Sequence, residues 1–296
     1  MRPITRFTKP IISSIEDEAR RLIVGWRDPQ AYAFYMQLVA AGFAPNAHID
    51  VLPEQRIIYV CVPKNASSRI KMTLSALLGR TVRSESEANK RRLSSLKSPK
   101  RVGLSVFHRL ATDPYTLHFA FVRNPYARLV SCWRNKFCNV PLTPENPSVR
   151  NYLAWRQQND LSLPAGSTST LSFEQFINIA TMTAKEQVDA HWHLQAGLLD
   201  MPSIKLNFIG RVEAFEMDFK RVLDHVGASN GLRADATRTV NASDHVDWRS
   251  YYTTELGNRV YKAYETDFHR FEYPRKLTLK QSCVRPLPLF PASEFT

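Results

Sequence analysis

Lys64, Ser67 and Ser68 fall within one short run, Pro-Lys-Asn-Ala-Ser-Ser at 63–68. Arg123 and Ser131 fall within a second, Arg-Asn-Pro-Tyr-Ala-Arg-Leu-Val-Ser at 123–131. These residue types bind phosphate: an ammonium supplies a point charge, serine hydroxyls donate, and a guanidinium grips two oxygens at once. Each run sits where a strand would pass into a helix, so the first N–H groups of that helix and its dipole add a ready anion site. Two such turns, about 60 residues apart, suit a nucleotide that carries phosphate at both ends.

Taken singly, each turn also has a plain structural explanation. Serine is a common helix N-cap, with Lys64 then a surface residue. Arg123 would close a strand-end salt bridge, with Ser131 as a small packing residue. Two turns of one kind on two strand–helix units are harder to explain in that way. The triphosphate loop Gly-x-x-x-x-Gly-Lys-Ser/Thr is missing, because no glycine lies between Gly42 and Gly79 and the lysine stands ahead of the serines rather than beside them.

The elements that must position these residues read as follows. Residues 56–62 are almost continuously apolar, the pattern of a strand buried on both faces. A helix then runs from about Ser67 to Leu78, with Ile70, Leu74, Leu77 and Leu78 on one face and Gly79 as its stop. The second strand is 117–122, and its helix runs from about 125 to 138 with Pro125 at the first helical position. Upstream, Ser14 caps one helix, and Asp28-Pro29 opens another that Gly42 ends. Downstream, Ser172 caps a helix, 204–210 is a strand, and 214–226 and 249–270 are helices. In the last, Leu256, Val260, Tyr264 and Phe268 share a face. The polar, basic stretch 83–101 reads as a solvated helix or loop, with a binding patch for an anionic acceptor as the lesser reading. The Pro- and Asn-rich stretch 139–150 and the Ser/Thr-rich stretch 163–172 read as long loops of the kind that form lids.

Strands alternating with helices predict an α/β domain of three layers around a mainly parallel sheet, with ligands at the carboxyl ends of the strands. The expected organisation is an N-terminal helical extension at 1–54, one main domain at 55–274 and a Pro-rich tail at 275–296. Of 296 residues 44% are hydrophobic and 23% charged, a globular balance. Forty Lys and Arg against 27 Asp and Glu give a net charge of +13, which favours an anionic partner without choosing one. The cysteines Cys61, Cys132, Cys138 and Cys283 form no CxxC pair and read as free thiols in a reducing compartment. No apolar run is long enough to span a bilayer, and the start lacks the apolar core of a secretory signal. The expectation is a cytoplasmic protein with no transmembrane segment, which leaves room for peripheral contact with a membrane surface.

The motifs resemble those of the sulfotransferases, in particular the carbohydrate branch with its chondroitin 4-O-type enzymes and bacterial relatives. The family's first loop, Pro-Lys-x-Ala-Cys/Ser-Ser/Thr-x-x-Lys, is matched at Pro63, Lys64, Ala66, Ser67, Ser68 and Lys71. Its second segment is matched at Arg123, Pro125, Arg128, Leu129, Ser131, Arg134, Lys136 and Phe137. His191-Trp192, the run 207–219 and the run 260–274 resemble three further elements, in order. The likeness covers about 55–274. It departs from the animal members in lacking their cysteine pair after the His-Trp element and their N-terminal membrane anchor, and in having Asn124 where an acidic residue is usual.

The resemblance implies a P-loop-like sulfotransferase fold and transfer of a sulfuryl group from 3′-phosphoadenosine 5′-phosphosulfate (PAPS) to a hydroxyl of a glycan or other acceptor, perhaps anionic in keeping with the charge. It implies that Lys64, Asn65, Ala66, Ser67, Ser68 and Arg69 surround the 5′-phosphosulfate and that Arg123 and Ser131 hold the 3′-phosphate. Lys64 would stabilise the leaving phosphate, and no metal is required. The base that takes the acceptor's proton is left open among His191, which carries the resemblance, His108 in the run before the second strand, and His193. His191 and His193 make a poor metal pair, because no carboxylate or cysteine is read as completing them. No nucleic-acid partner is expected. The competing readings are a nucleotide-dependent kinase on a related fold and a non-catalytic polyanion-binding module.

Overall fold

The computed structural model describes residues 28–159, 170–186, 188–228 and 247–277. At its centre is a four-stranded sheet in sequential order: β1 (Ile49–Leu52), β2 (Ile57–Val60), β3 (Leu117–Val122) and β4 (Phe208–Arg211). β2, β3 and β4 run parallel, and β1 pairs antiparallel with β2. The described helices named below are α1 (Pro29–Ala40), α2 (Ser67–Leu77), α3 (Leu104–Thr112), α4 (Pro125–Lys136), α5 (Pro147–Gln158), α6 (Phe173–Met182), α7 (Gln195–Leu199), α8 (Phe215–His225), α9 (Thr254–Ala263) and α10 (Glu265–Arg270).

The strands' two-residue period divides the core. Ile58, Val60, Ala120 and Val122 face a large cluster with α1, α3, α4, α6, α9 and α10. Ile57, Tyr59, Phe119 and Phe121 face a smaller one with α2 and α8. This is the predicted three-layer α/β arrangement with a mainly parallel sheet. Every residue of β2 is essentially without solvent contact, and burying each such apolar side chain contributes roughly 1.5–3 kcal/mol. Gly210 lies under the Phe121 ring, which a Cβ at that position would meet at 2.5 Å. Only glycine lets that ring cross β4.

Several elements depart from the sequence reading. β1 lies within the stretch expected to be an extension, and α1 buries Ala31, Phe34, Tyr35 and Leu38 in the main core. Both belong to the body of the domain. The basic stretch 83–101 is not a solvated run. It folds into short helical turns, buries Ala88, Ser94 and Leu96, and pairs Lys97 with Val51 at the sheet. Its charges hid a period too short to recognise. The end of the stretch read as a loop, residues 147–150, instead begins α5, started by Asn146, whose side chain accepts from the Ser148 amide. The expected helix over 249–270 is a 3₁₀ turn at Trp248–Tyr251 followed by α9 and α10, which break at Tyr264. Its four named apolar residues are all buried. The helix expected after Ser14, the residues 163–169, Cys283 and nearly all of the Pro-rich tail lie outside the described residues. No described helix is long and apolar enough to cross a membrane.

Candidate active site

The first turn joins β2 to α2. It contains no glycine, yet two of its residues take left-handed backbone, Lys64 (φ 72°) and Ala66 (φ 57°). Such strain costs on the order of 1 kcal/mol or more per residue. Ala66 stands at the N-cap and offers α2 no side-chain hydrogen bond. By contrast Asn124 caps α4, accepting from the Tyr126 amide at 3.0 Å. Burial pulls the Lys64 ammonium down to about 8, with Lys136 and Arg123 acting in the same direction and Cys132 and Glu85 opposing them. A lysine so placed sits beside other cations in a partly desolvated pocket that a phosphate would complete.

The second turn begins at the end of β3, in the strand beside β2. The Arg123 guanidinium donates to the Lys64 carbonyl at 3.3 Å, so the two turns abut. Burial lowers the Arg123 guanidinium from its ordinary value, and the nearby Glu213 carboxylate opposes this. Glu213 accepts from the Asn124 amide at 2.7 Å and from the Tyr273 hydroxyl at 2.9 Å. Glu213 thus brings a carboxylate from the turn after β4 to the second turn and to the neighbourhood of Arg123. Ser131 lies two turns into α4, half-buried, and its hydroxyl makes no protein hydrogen bond among the described residues.

Arg128, fully buried, locks these parts to a third segment. Its guanidinium donates to the carbonyls of Pro63 (3.1 Å), His193 (2.7 Å) and Ala190 (2.8 Å). Gln195 contacts both turns, through Asn65 and Arg123, and is itself held by Asp267 on α10.

The segment gripped by Arg128 carries His191. Its Nδ1 lies 2.6 Å from Asp189 Oδ1, and Asn151 on α5 donates to the other carboxylate oxygen at 3.1 Å. Burial raises the Asp189 carboxyl, but hydrogen bonds from His191 and Asn151 outweigh it and the net shift is downward. Burial lowers His191 below its ordinary value against the pull of Asp189, and the positive charges of Lys136 and Lys64 add to the lowering. With the carboxylate accepting at Nδ1, that nitrogen carries the hydrogen, and Nε2 keeps a lone pair in a neutral ring. This is the arrangement of a general base with an orienting acid.

The remaining expected residues separate. Ser68 accepts from Asn89 in the 83–101 segment at 3.2 Å, and Lys71 donates to the same asparagine at 3.4 Å. Asn65 is fully buried and spends its amide on Phe121 and Gln195, so its side chain braces the turn. The Arg69 side chain turns to α8, with Glu216 at 3.2 Å and the Phe215 ring 4.3 Å below it. Its contribution at the turn is limited to its backbone. His193 has Nδ1 3.0 Å from the Glu186 carbonyl and packs against Gly197, a structural role. His108 packs its ring on Phe34 of α1, within electrostatic reach of Asp28. Asp189, Asn151, Gln195, Glu213 and Asp267 were missed. Asp189 was legible as the carboxylate two residues before His191, and Glu213 and Asp267 lie in the runs matched to the family without being read as site residues; Asn151 and Gln195 join the site only through tertiary contacts. Among the described residues no group of three or more His, Cys, Asp and Glu could hold a metal ion.

Comparison with known proteins agrees with this geometry. The sequence model of the sulfotransferase family matches residues 47–274, and the chain belongs to that family. This sets aside the kinase reading and the non-catalytic binding module. Among its relatives, carbohydrate sulfotransferase 11 of Mus musculus is 29% identical over 239 residues, covering 76% of this chain and 67% of that protein. Carbohydrate sulfotransferase 14 of Danio rerio is 28% identical over 248 residues (80% and 65%). Carbohydrate sulfotransferase 12 of Mus musculus is 27% identical over 262 residues (77% and 60%). The chain thus spans about two thirds or less of the length of these relatives. No solved structure matches it.

Proposed function

We propose that the protein transfers the sulfuryl group of PAPS to a hydroxyl of a carbohydrate acceptor. The observation that carries this reading is the meeting of the two turns, with Arg123 donating to the Lys64 carbonyl, in a sulfotransferase-family chain whose relatives are named for carbohydrate. The uncapped amides of α2, the Lys64 ammonium and the Ser67 and Ser68 hydroxyls fit a 5′-phosphosulfate, and Arg123 and Ser131 fit a 3′-phosphate. The donor supplies an activated sulfur whose leaving group is a phosphate oxygen.

In this mechanism His191 Nε2 takes the proton of the acceptor hydroxyl as its oxygen bonds to sulfur. The bond from sulfur to the bridging oxygen breaks, and the electron pair stays on the phosphate. Lys64 and the α2 amides stabilise the charge gathering there, an effect that is greatest in a site partly closed to water. Asp189 keeps the imidazole in the accepting tautomer.

The test is thermal stabilisation by adenosine 3′,5′-bisphosphate, with 5′-AMP and ATP as controls, followed by transfer of labelled sulfate from PAPS to a panel of polysaccharides. Selective stabilisation by the bisphosphate, by mass action on the folded state, and label in a glycan are expected. Preference for ATP, or no ligand response, removes the donor assignment. Label that enters only small hydroxyl compounds removes the carbohydrate acceptor.

A further inference from the structure

Gln195 has no solvent exposure, and its side-chain amide is fully engaged at the junction of the two turns. Oε1 accepts from Asn65 Nδ2 at 2.7 Å and from the Arg123 amide at 3.0 Å. Nε2 donates to the Arg123 carbonyl at 2.9 Å and to Asp267 Oδ2 at 3.3 Å. An amide side chain can accept twice and donate twice, so the set is complete. Asp267 in turn accepts from the backbone amides of Gln195 (2.9 Å) and Ala196 (2.7 Å), fixing the glutamine from the far end of the fold.

The pattern is specific in one respect. Gln195 holds both the N–H and the C=O of Arg123, as a paired strand would, and so fixes the peptide from which that guanidinium leaves β3. With its remaining accepting site it holds Asn65, between the two left-handed residues of the first turn. One side chain therefore sets the distance between the anchor for one phosphate and the anchor for the other. We infer that Gln195, braced by Asp267, is the positioning residue that sets the span between the two phosphate turns, and with it the selection among nucleotide bisphosphates by the separation of their phosphates. Sub-ångström control of such a span matters, because a displacement of about 1 Å can cost on the order of a hundredfold in rate.

This inference rests on the donor reading above, and the experiment separates the two. Dissociation constants of adenosine 3′,5′-bisphosphate, adenosine 2′,5′-bisphosphate and 5′-AMP are measured by calorimetry for the native protein and for Gln195→Glu. The glutamate keeps the size and both accepting sites but loses both donors. The native protein should favour the 3′,5′ isomer, and the variant should lose about tenfold or more of that preference, equivalent to about 1.4 kcal/mol, while 5′-AMP affinity changes much less. A variant that keeps the preference, or that loses affinity for all three ligands equally, overturns the positioning role and leaves Gln195 a structural brace. A native protein that does not distinguish the bisphosphates from 5′-AMP instead removes the donor reading. A second measurement needs no variant: filling the first turn with 5′-AMP should slow hydrogen exchange at the Arg123 amide, which Gln195 links to Asn65. Unchanged exchange there, with 5′-AMP bound, overturns the inference even if Gln195→Glu fails to fold.

Discussion

Oδ1 of Asp189 lies 2.6 Å from Nδ1 of His191 and 2.8 Å from the backbone nitrogen of the same residue. One carboxylate oxygen fixes both the ring and the chain that carries it. Since His191 is lowered from its ordinary value of 6.5, the neutral, proton-accepting ring is the dominant form at neutral pH. The rate should therefore climb as pH rises through a value below 6.5 and then level off. His191→Ala should reduce kcat by roughly 10²–10⁴-fold, the usual contribution of a general base, with the affinity for adenosine 3′,5′-bisphosphate little changed. Asp189→Asn should reduce kcat too and distort the acid limb. A pH–rate profile for all three proteins checks this, and full turnover in the alanine variant would remove His191 from the reaction.

Lys64 sets the alkaline limb. In the proposed site its protonated form would bind phosphate, and burial pulls it down from 10.5 to about 8. Between these values the ligand-free protein has largely lost the charge, and a bound phosphate restores it. Affinity for adenosine 3′,5′-bisphosphate should thus fall as pH rises above about 8, and binding at pH near 9 should take up a proton. Calorimetry in two buffers of different ionisation enthalpy reads that proton directly. Heats that do not depend on the buffer would contradict the assignment. Lys64→Ala should lose most of kcat.

Arg128→Met removes a guanidinium that serves three carbonyls from two segments. A buried group left without its partner costs about 1–3 kcal/mol, so the loss should be at least of that order. It should appear as a lower denaturant midpoint at unchanged slope.

Asn89→Ala tests the link from the 83–101 segment to the first turn. Ser68 and Lys71 both lose a partner, while Asn89 itself is exposed. Donor KM should rise by roughly fivefold, the worth of about 1 kcal/mol for one hydrogen bond, with a melting temperature close to that of the native protein. An unchanged KM would make the segment a cover for the core and nothing more.

The two strand–turn–helix units were legible because their signals are local: an apolar run, a polar turn and a helical period with a recognisable start. β3 falls at 117–122 as read, and α2 starts at Ser67 as read. The site's framework was much less legible. Gln195 looks in sequence like an ordinary polar position on a helix, and Asp267 was matched only as part of the closing run 260–274; their importance arises from burial and from partners more than 70 residues away. Arg128 was matched as a motif residue, yet nothing in the sequence says that it joins Pro63 of the first motif to the carbonyls on either side of His191-Trp192. The segment 83–101 misled because its exposed charges outnumber its few buried anchors, among them Ala88 and Leu96.

The brace from Asp267 also has a consequence for the order of events during synthesis. Asn65 and Arg123 leave the ribosome early, but the carboxylate that secures their common partner belongs to α10, about two hundred residues after Asn65. A nascent chain that stops short of residue 267 holds both phosphate-binding turns without their fixed spacing. On the proposed donor reading, competence to bind the nucleotide is therefore acquired late, when this non-local contact closes, and partly translated chains would have little means of sequestering the donor.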